Sequence, residues 1–279
     1  MIHTSRQLKA LVRNLSKGDS AKAQIIIRNY VMERFLERLS LSQYRNNLIL
    51  KGGVLVAAMV GLDNRSTIDV DATFKSFHLN EESARKAVED ITAVHVDDGM
   101  IFEIKRVSRI MDETDYPGVS IMLDSALENM RTPLKIDFST GDVITPREIS
   151  YSYRLMFEDR SISILAYNLE TVLAEKIETL LARGTANTRM RDFYDIYILS
   201  STQEHNIDNN TLKAAYWKTS EKRGSVSLLP DADLILNEIS ESTALYELWL
   251  SYQCKFNYAV DVIWDDVIMS VRRLVNIVK

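Results

Sequence analysis

The chain has one cysteine, Cys254, among 279 residues, so no disulfide can form within it. Four histidines are present, His3, His78, His95 and His205. None lies within ligand spacing of another, which argues against a histidine-based zinc site. Four prolines and nine glycines are too few for a collagen-like or low-complexity chain. The longest nearly apolar stretch is VLVAAMVGL, 54–62, far short of the roughly 20 residues that span a bilayer. The opening run MIHTSRQLKALVRNL carries charges where a signal peptide needs an apolar core. Positive charge is not in excess: 34 Lys and Arg stand against 39 Asp and Glu, a net charge of −5. That excludes bulk coating of nucleic acid, though not a local basic groove. What is there is an ordinary folded composition, 46% hydrophobic and 26% charged. A soluble, cytoplasmic protein with no membrane partner is expected.

At roughly 150 residues per domain the length suits two domains. Leu8, Leu11, Val12 and Leu15, then Ile26, Ile27, Tyr30, Val31, Phe35 and Leu39, recur at helical spacing. A short strand is expected at NLIL, 47–50, a short helix at 54–62, a β-branched strand at STIDVDATF, 66–74, and a helix over 80–94 capped by Asn80. The middle of the chain is strand-rich, with candidates at 100–110, 118–127, 133–139, 151–157 and 162–167. Pro117-Gly118 and Gly141-Asp142 mark turns between them. Asn168 can cap a helix that stops at Gly184. Beyond it RDFYDIYILS, 191–200, and TLKAAYWKTSEKRG read as helices, and DADLILNEISESTALYELWLSYQ as one long helix or two. Phe256, Val260, Ile263, Trp264, Val267, Val271, Leu274 and Val278 form a final stripe whose simplest role is core packing. The strand-rich half gives way to a helical half between 165 and 205.

The sharpest chemical signal is Lys51-Gly52-Gly53 followed by Arg65-Ser66-Thr67-Ile68-Asp69-Val70-Asp71. On a strand, residues two apart face the same way, about 6.5–7 Å between Cα atoms. Asp69 and Asp71 therefore share a face and repel, and a divalent cation would remove the repulsion. Two solvated aspartates at a strand end are the bland reading. Gly52-Gly53, between strand and helix, would let backbone N–H groups approach a phosphate. A tight turn also wants glycine. Asp137, between Ile136 and Phe138, faces away from both. It could lie on a functional face or simply be exposed.

In this order the motifs resemble the AbiEii/AbiGii-type toxin family of the nucleotidyltransferase-like superfamily. LKGGVLVAAMVGLDNRSTIDVDATF is similar to its first motif, KIDFSTGDVITP to its third-carboxylate strand, and LAEKIETLLARGTANTRMRDFYDIYIL to its helical signature. The resemblance implies an α+β fold: a nucleotidyltransferase-like mixed β-sheet core with flanking helices and a mainly helical C-terminal part. Residues 1–165 would hold the N-terminal helices and the core, and 166–279 a helical domain carrying Lys176 and the RDFYD helix. It implies that Asp69 and Asp71 hold Mg²⁺ (or Mn²⁺) bridging a nucleoside triphosphate, and that Asp137 helps with the metal or activates the attacking hydroxyl. Lys176 would neutralise the phosphates, with Asp192 the matching acid of R-D-x-Y-D. Lys51, Gly52, Gly53, Arg65, Thr67 and Asp195 would bind the nucleotide. The implied activity is nucleotidyl transfer to an RNA acceptor, with tRNA a candidate. The chain would be the toxin of a toxin–antitoxin or phage abortive-infection system, with a cognate antitoxin as partner. One departure stands out: Val54 replaces the Ser or Thr usual after the glycines, so a hydroxyl contact to phosphate is lost.

Two other readings compete. A non-catalytic nucleotide- or RNA-binding module could keep the same fold, and Val54 favours it. Asp97 or Asp98 followed by Glu103-Ile104-Lys105 faintly mimics a metal-dependent nuclease. Among the helical residues, Lys176 could be a solvated neighbour of Glu170, Glu175 and Glu178, and Arg191 with Asp195 a surface ion pair. Arg183, Arg189 and Arg191 could line a groove for RNA or triphosphate, or lie on a solvated loop.

Overall fold

The computed structural model describes residues 1–110 and 118–279. Two compact units divide it. The first comprises Met1–Ala58, Ser66–Asp142 and Ile149–Ala166, the second Met59–Arg65, Val143–Glu148 and Tyr167–Lys279. The chain thus leaves the first unit for two short excursions before its last crossing at Ala166/Tyr167.

The first unit opens with α1 (Ser5–Ser16), started by a reciprocal Thr4/Gln7 cap, and α2 (Ser20–Leu41), capped by Asp19. The later turns of α2 are buried on every side, charged residues included. Burial of charge is tolerated only with partners, and each has one. Arg38 grips Asp98 through two bonds of 2.7 and 2.8 Å. Arg34 reaches Glu37 at 2.8 Å and Glu158 at 3.1 Å. Glu33 accepts the Met156 N–H at 3.1 Å.

β1 (Leu48–Lys51), α3 (Gly52–Val60), β2 (Asp69–Phe74), α4 (Glu81–Thr92), β3 (Met100–Ile110), β4 (Gly118–Leu127), β5 (Met130–Thr140), β6 (Ile149–Arg154) and β7 (Ser161–Ala166) follow. The strands form one sheet in the order β3-β4-β5-β2-β1-β7-β6. It is mixed: β2 pairs parallel with β5 and β1 with β7, while the other neighbours are antiparallel. The α+β class expected from the sequence is therefore present. Asn80 caps α4 as expected. The strand expected at 133–139 is longer at both ends: the hairpin with β4 pairs it from Met130, and β2 pairs it to Thr140. The strand expected at 151–157 ends at Arg154. Of the turn Pro117-Gly118, Pro117 lies outside the described residues.

In the second unit are α5 (Leu169–Arg183), α6 (Met190–Thr202), α7 (Asn209–Arg223), α8 (Ala232–Glu241), α9 (Thr243–Lys255) and α10 (Trp264–Val278). The long helix-or-two segment is two: Ser242 has extended backbone and accepts the Leu245 N–H, which starts α9 afresh. The final apolar stripe is shorter than its sequence spacing suggests. Trp264, Val267, Val271, Leu274 and Val278 are buried, but Val260 and Ile263 are 58% and 63% exposed. They precede α10, after the single turn Asn257–Ala259, and so fall outside its period. Phe193, Trp249 and Trp264 form an aromatic core, with ring centroids 5.2 and 5.6 Å apart. Among the described residues no helix is long and apolar enough to cross a membrane.

Candidate active site

Period-two alternation places the acids. In β5, Leu134, Ile136 and Phe138 are buried while Lys135 and Asp137 are half-buried, and in β2 Val70 and Ala72 are buried between half-buried Asp69 and Asp71. Strand register then brings the two strands' polar residues together. Asp71 is directly opposite Asp137 on β5 and Lys51 on β1, and Asp69 is opposite Lys135. Neighbouring strands lie about 4.8 Å apart, so Lys51, Asp71 and Asp137 form one row across three strands, with Asp69 and Lys135 in the next.

The glycine turn closes on this row. Gly52 has φ of +65°, and a Cβ there would come within 2.8 Å of Asp71 Cβ as well as colliding with its carboxylate. Glycine is therefore required both by backbone conformation and by the approach of Asp71. The Gly53 N–H donates to the Asp71 carboxylate. Burial, foremost, pushes the Asp71 carboxyl above the ordinary range; Asp137 and Asp69 add to this, while the Lys51 ammonium and the Gly53 amide only partly oppose it. Val54 is 1% exposed, so its side chain belongs to the core. Thr67 is also buried, with its hydroxyl 3.5 Å from the Asp69 carbonyl.

Two charged residues complete the cluster that the sequence reading did not assign to it. Asp142 Oδ2 accepts from Lys51 Nζ and from the Ser139 hydroxyl, both at 2.6 Å. Burial opposes its ionisation most strongly, but Lys51 and Ser139 overcome this and hold the carboxyl below the ordinary range. Lys135 Nζ bonds Asp137 Oδ2 at 2.6 Å. The available signal was spacing: Lys135 is two residues from Asp137 on one strand, and Asp142 follows the turn glycine directly.

Oxygen donors of this kind suit Mg²⁺, and two features fit a cation. Asp137 Oδ1 is buried with no hydrogen-bond partner, and Asp71 is held in a setting that disfavours its charge. Four carboxylates (Asp69, Asp71, Asp137, Asp142) stand against two ammonium groups (Lys51, Lys135), which leaves an excess of negative charge. As arranged, however, no group of three or more His, Cys, Asp or Glu side chains among the described residues is positioned to hold a metal ion.

Arg65, Lys176, Asp192 and Asp195 all lie in the second unit. Lys176 on α5 bonds Asp192 and Asp195 on α6, each at 2.7 Å. Asp195 also accepts from Arg65 Nε at 2.5 Å and Nη2 at 3.3 Å. Arg65 and Asp195 have no measurable exposure, whereas Lys176 and Asp192 side chains are 12% and 18% exposed. Burial works against the Asp195 charge, but Lys176 and Arg65 outweigh it and lower its pKa. Tyr194 donates to the Asn64 carbonyl at 2.6 Å, which pins the segment that presents Arg65. Arg191 does not pair with Asp195; it is exposed and lies 5.7 Å from the Phe256 ring. Glu178 is bonded by Arg223 and Ser225 rather than by Lys176. As for the nuclease-like pattern, Asp98 is fully buried against Arg38, and Glu103 pairs with Lys105 at 2.7 Å.

The family described as nucleotidyl transferase AbiEii toxin, type IV toxin–antitoxin system, matches residues 34–261. The chain belongs to the AbiEii family of nucleotidyltransferase toxins, whose toxin–antitoxin systems imply an antitoxin as partner. Two solved Helicobacter pylori structures are similar at 15% identity and a TM-score of 0.47. One, described with reservation as a nucleotidyltransferase, is matched over 91% of this chain and 96% of its own. The other, JHP933, is matched over 91% of this chain and 93% of its own. No curated protein matches the chain significantly.

Proposed function

We propose that the protein is a metal-dependent nucleotidyltransferase toxin that moves a nucleotide from a nucleoside triphosphate to an RNA acceptor, with tRNA the acceptor to test first. Its setting would be the bacterial cytoplasm and phage defence, opposed by a cognate antitoxin. The observation that carries this reading is the Lys51–Asp71–Asp137 row with Asp69 beside it, in a chain of a nucleotidyltransferase family.

Nucleotidyl transfer is an in-line displacement at phosphorus, in which charge on the attacking and leaving oxygens must be offset. Asp69, Asp71 and Asp137 are the residues that would hold Mg²⁺, which supplies that charge and a template for the phosphates. The chain's own groups do the remainder. Lys51 offers an ammonium beside Asp71. Asp137 Oδ1, buried and without a partner, is available to the cation or to the proton of an attacking hydroxyl. The turn at Gly52 leaves the backbone unobstructed by a side chain. Lys176 and Asp192 keep the roles implied by resemblance as hypotheses for substitution.

The test is incubation with Mg²⁺, each labelled triphosphate and total RNA, beside an Asp69→Ala/Asp71→Ala double variant. Label should enter RNA, with pyrophosphate released, only with the unaltered protein. Equal labelling by the double variant would refute the assignment of these acids. Val54, which offers no hydroxyl to a phosphate, is the residue behind a second reading, a binding module of the same fold. Nucleotide binding with no label transferred from any triphosphate would select it.

A further inference from the structure

The acid cluster already contains a cation of its own. Lys135 Nζ is 2.6 Å from Asp137 Oδ2, and Lys135 is the register partner of Asp69. One lysine is thus bonded to one of the acids expected to hold the metal and lies opposite a second. Its side chain is 37% exposed, so a route to solvent exists. One Asp137 oxygen is bonded by Lys135 and the other is buried without a partner.

We propose that Lys135 is the resident counter-cation of this cluster, and that a divalent ion binds by displacing its ammonium from Asp137. The inference rests on the metal-dependent reading above. In the metal-free protein the ammonium offsets repulsion among Asp69, Asp71 and Asp137, as a cation would. Metal binding becomes an exchange of one positive group for another. Affinity is thereby held below what the carboxylates alone would give, since cation affinity follows the charge count of the site.

The experiment measures Mn²⁺ binding to the full chain by calorimetry and by electron paramagnetic resonance, for the unaltered protein, Lys135→Met, Lys135→Gln and Lys135→Arg. Removal of the charge should tighten Mn²⁺ binding about tenfold, and Lys135→Arg should bind as the unaltered protein does. Folding of each variant is followed by circular dichroism. A second measurement needs no variant: acylation of lysines, mapped by mass spectrometry with and without Mn²⁺. Lys135 should react several-fold faster when the ion is present. Mn²⁺ binding by folded Lys135→Met and Lys135→Gln that is unchanged or weaker, or an acylation rate indifferent to Mn²⁺, would overturn the exchange while leaving the metal reading intact. No Mn²⁺ binding to any form at millimolar concentration would overturn both.

Discussion

Lys51 and Asp142, 91 residues apart in sequence, are joined by a 2.6 Å ion pair at the edge of the acid row. β1 ends at Lys51, and Asp142 follows the turn after β5. The pair therefore ties the start of the glycine turn to the far end of the third-acid strand. Asp142 thus acts on the candidate site through Lys51.

This pairing predicts coupled energetics. Asp142→Asn should lower stability by about 1–2 kcal/mol, since a charge-assisted bond in a half-buried setting is removed. In a double-mutant cycle with Lys51→Met, measured by urea denaturation, the two changes should be non-additive by about 1 kcal/mol or more. Additive effects would show that the contact carries no energy.

Asp195 is the common partner of Arg65 and Lys176 inside the second unit. Asp195→Asn leaves the buried Arg65 and the half-buried Lys176 short of their counter-charge, and loss of one member of such a group costs about 3–5 kcal/mol. Chemical denaturation should show a loss of that order. A loss below about 1 kcal/mol would mean that Asp195 is dispensable to the unit and is present for ligand alone.

Asp71 predicts the opposite sign. Its carboxyl is raised by burial and by the neighbouring acids, so ionisation at neutral pH works against folding. Asp71→Asn should stabilise the metal-free protein by about 1 kcal/mol while ending label transfer, the usual exchange of stability for a charged site. The unaltered protein should gain stability as pH falls through the Asp71 range, and the Asn variant should lack that gain. Thermal melts between pH 4 and pH 8 provide the check.

Glu33, bonded by Asn29 and the Met156 amide, is pushed up from 4.5 to about 7, chiefly by burial. The folded chain keeps this proton to near neutrality, whereas the unfolded chain releases it at the lower value. Its contribution is complete below pH 4.5 and falls away as pH rises to about 7, amounting to about 3 kcal/mol. Glu33→Gln, which can still accept both bonds, should flatten this slope and be the more stable form at pH 8. A slope unchanged in the variant would place the titration elsewhere.

Much of the first unit was legible before any coordinates. The alternation of apolar and polar residues located β2, because a strand buried on one face repeats every second residue, and turn residues helped to mark β4 and β5. The same rule put Asp69 with Asp71, and Asp137 opposite Ile136 and Phe138. The split between α8 and α9 was not legible, since an apolar period continues across Ser242 and only the local cap interrupts it. Nor was the fate of Arg191, whose spacing from Asp195 suits an ion pair on an isolated helix; burial of Asp195 between Arg65 and Lys176 removed that option.

The chain by itself determined which residues share a strand face or a helix face, since these follow from periods of 2 and 3.6 acting over a few residues. It placed acids on strands and a glycine pair ahead of a helix at 54–62, whereas Gly52 and Gly53 are the first two residues of α3, which ends at Val60. Partners distant in sequence were decided by tertiary structure alone: Lys51 with Asp142, Arg65 and Lys176 with Asp195. Ion pairing falls off with distance in space and is indifferent to distance along the chain. Until strand register and helix packing set those distances, every carboxylate is an equal candidate for every ammonium.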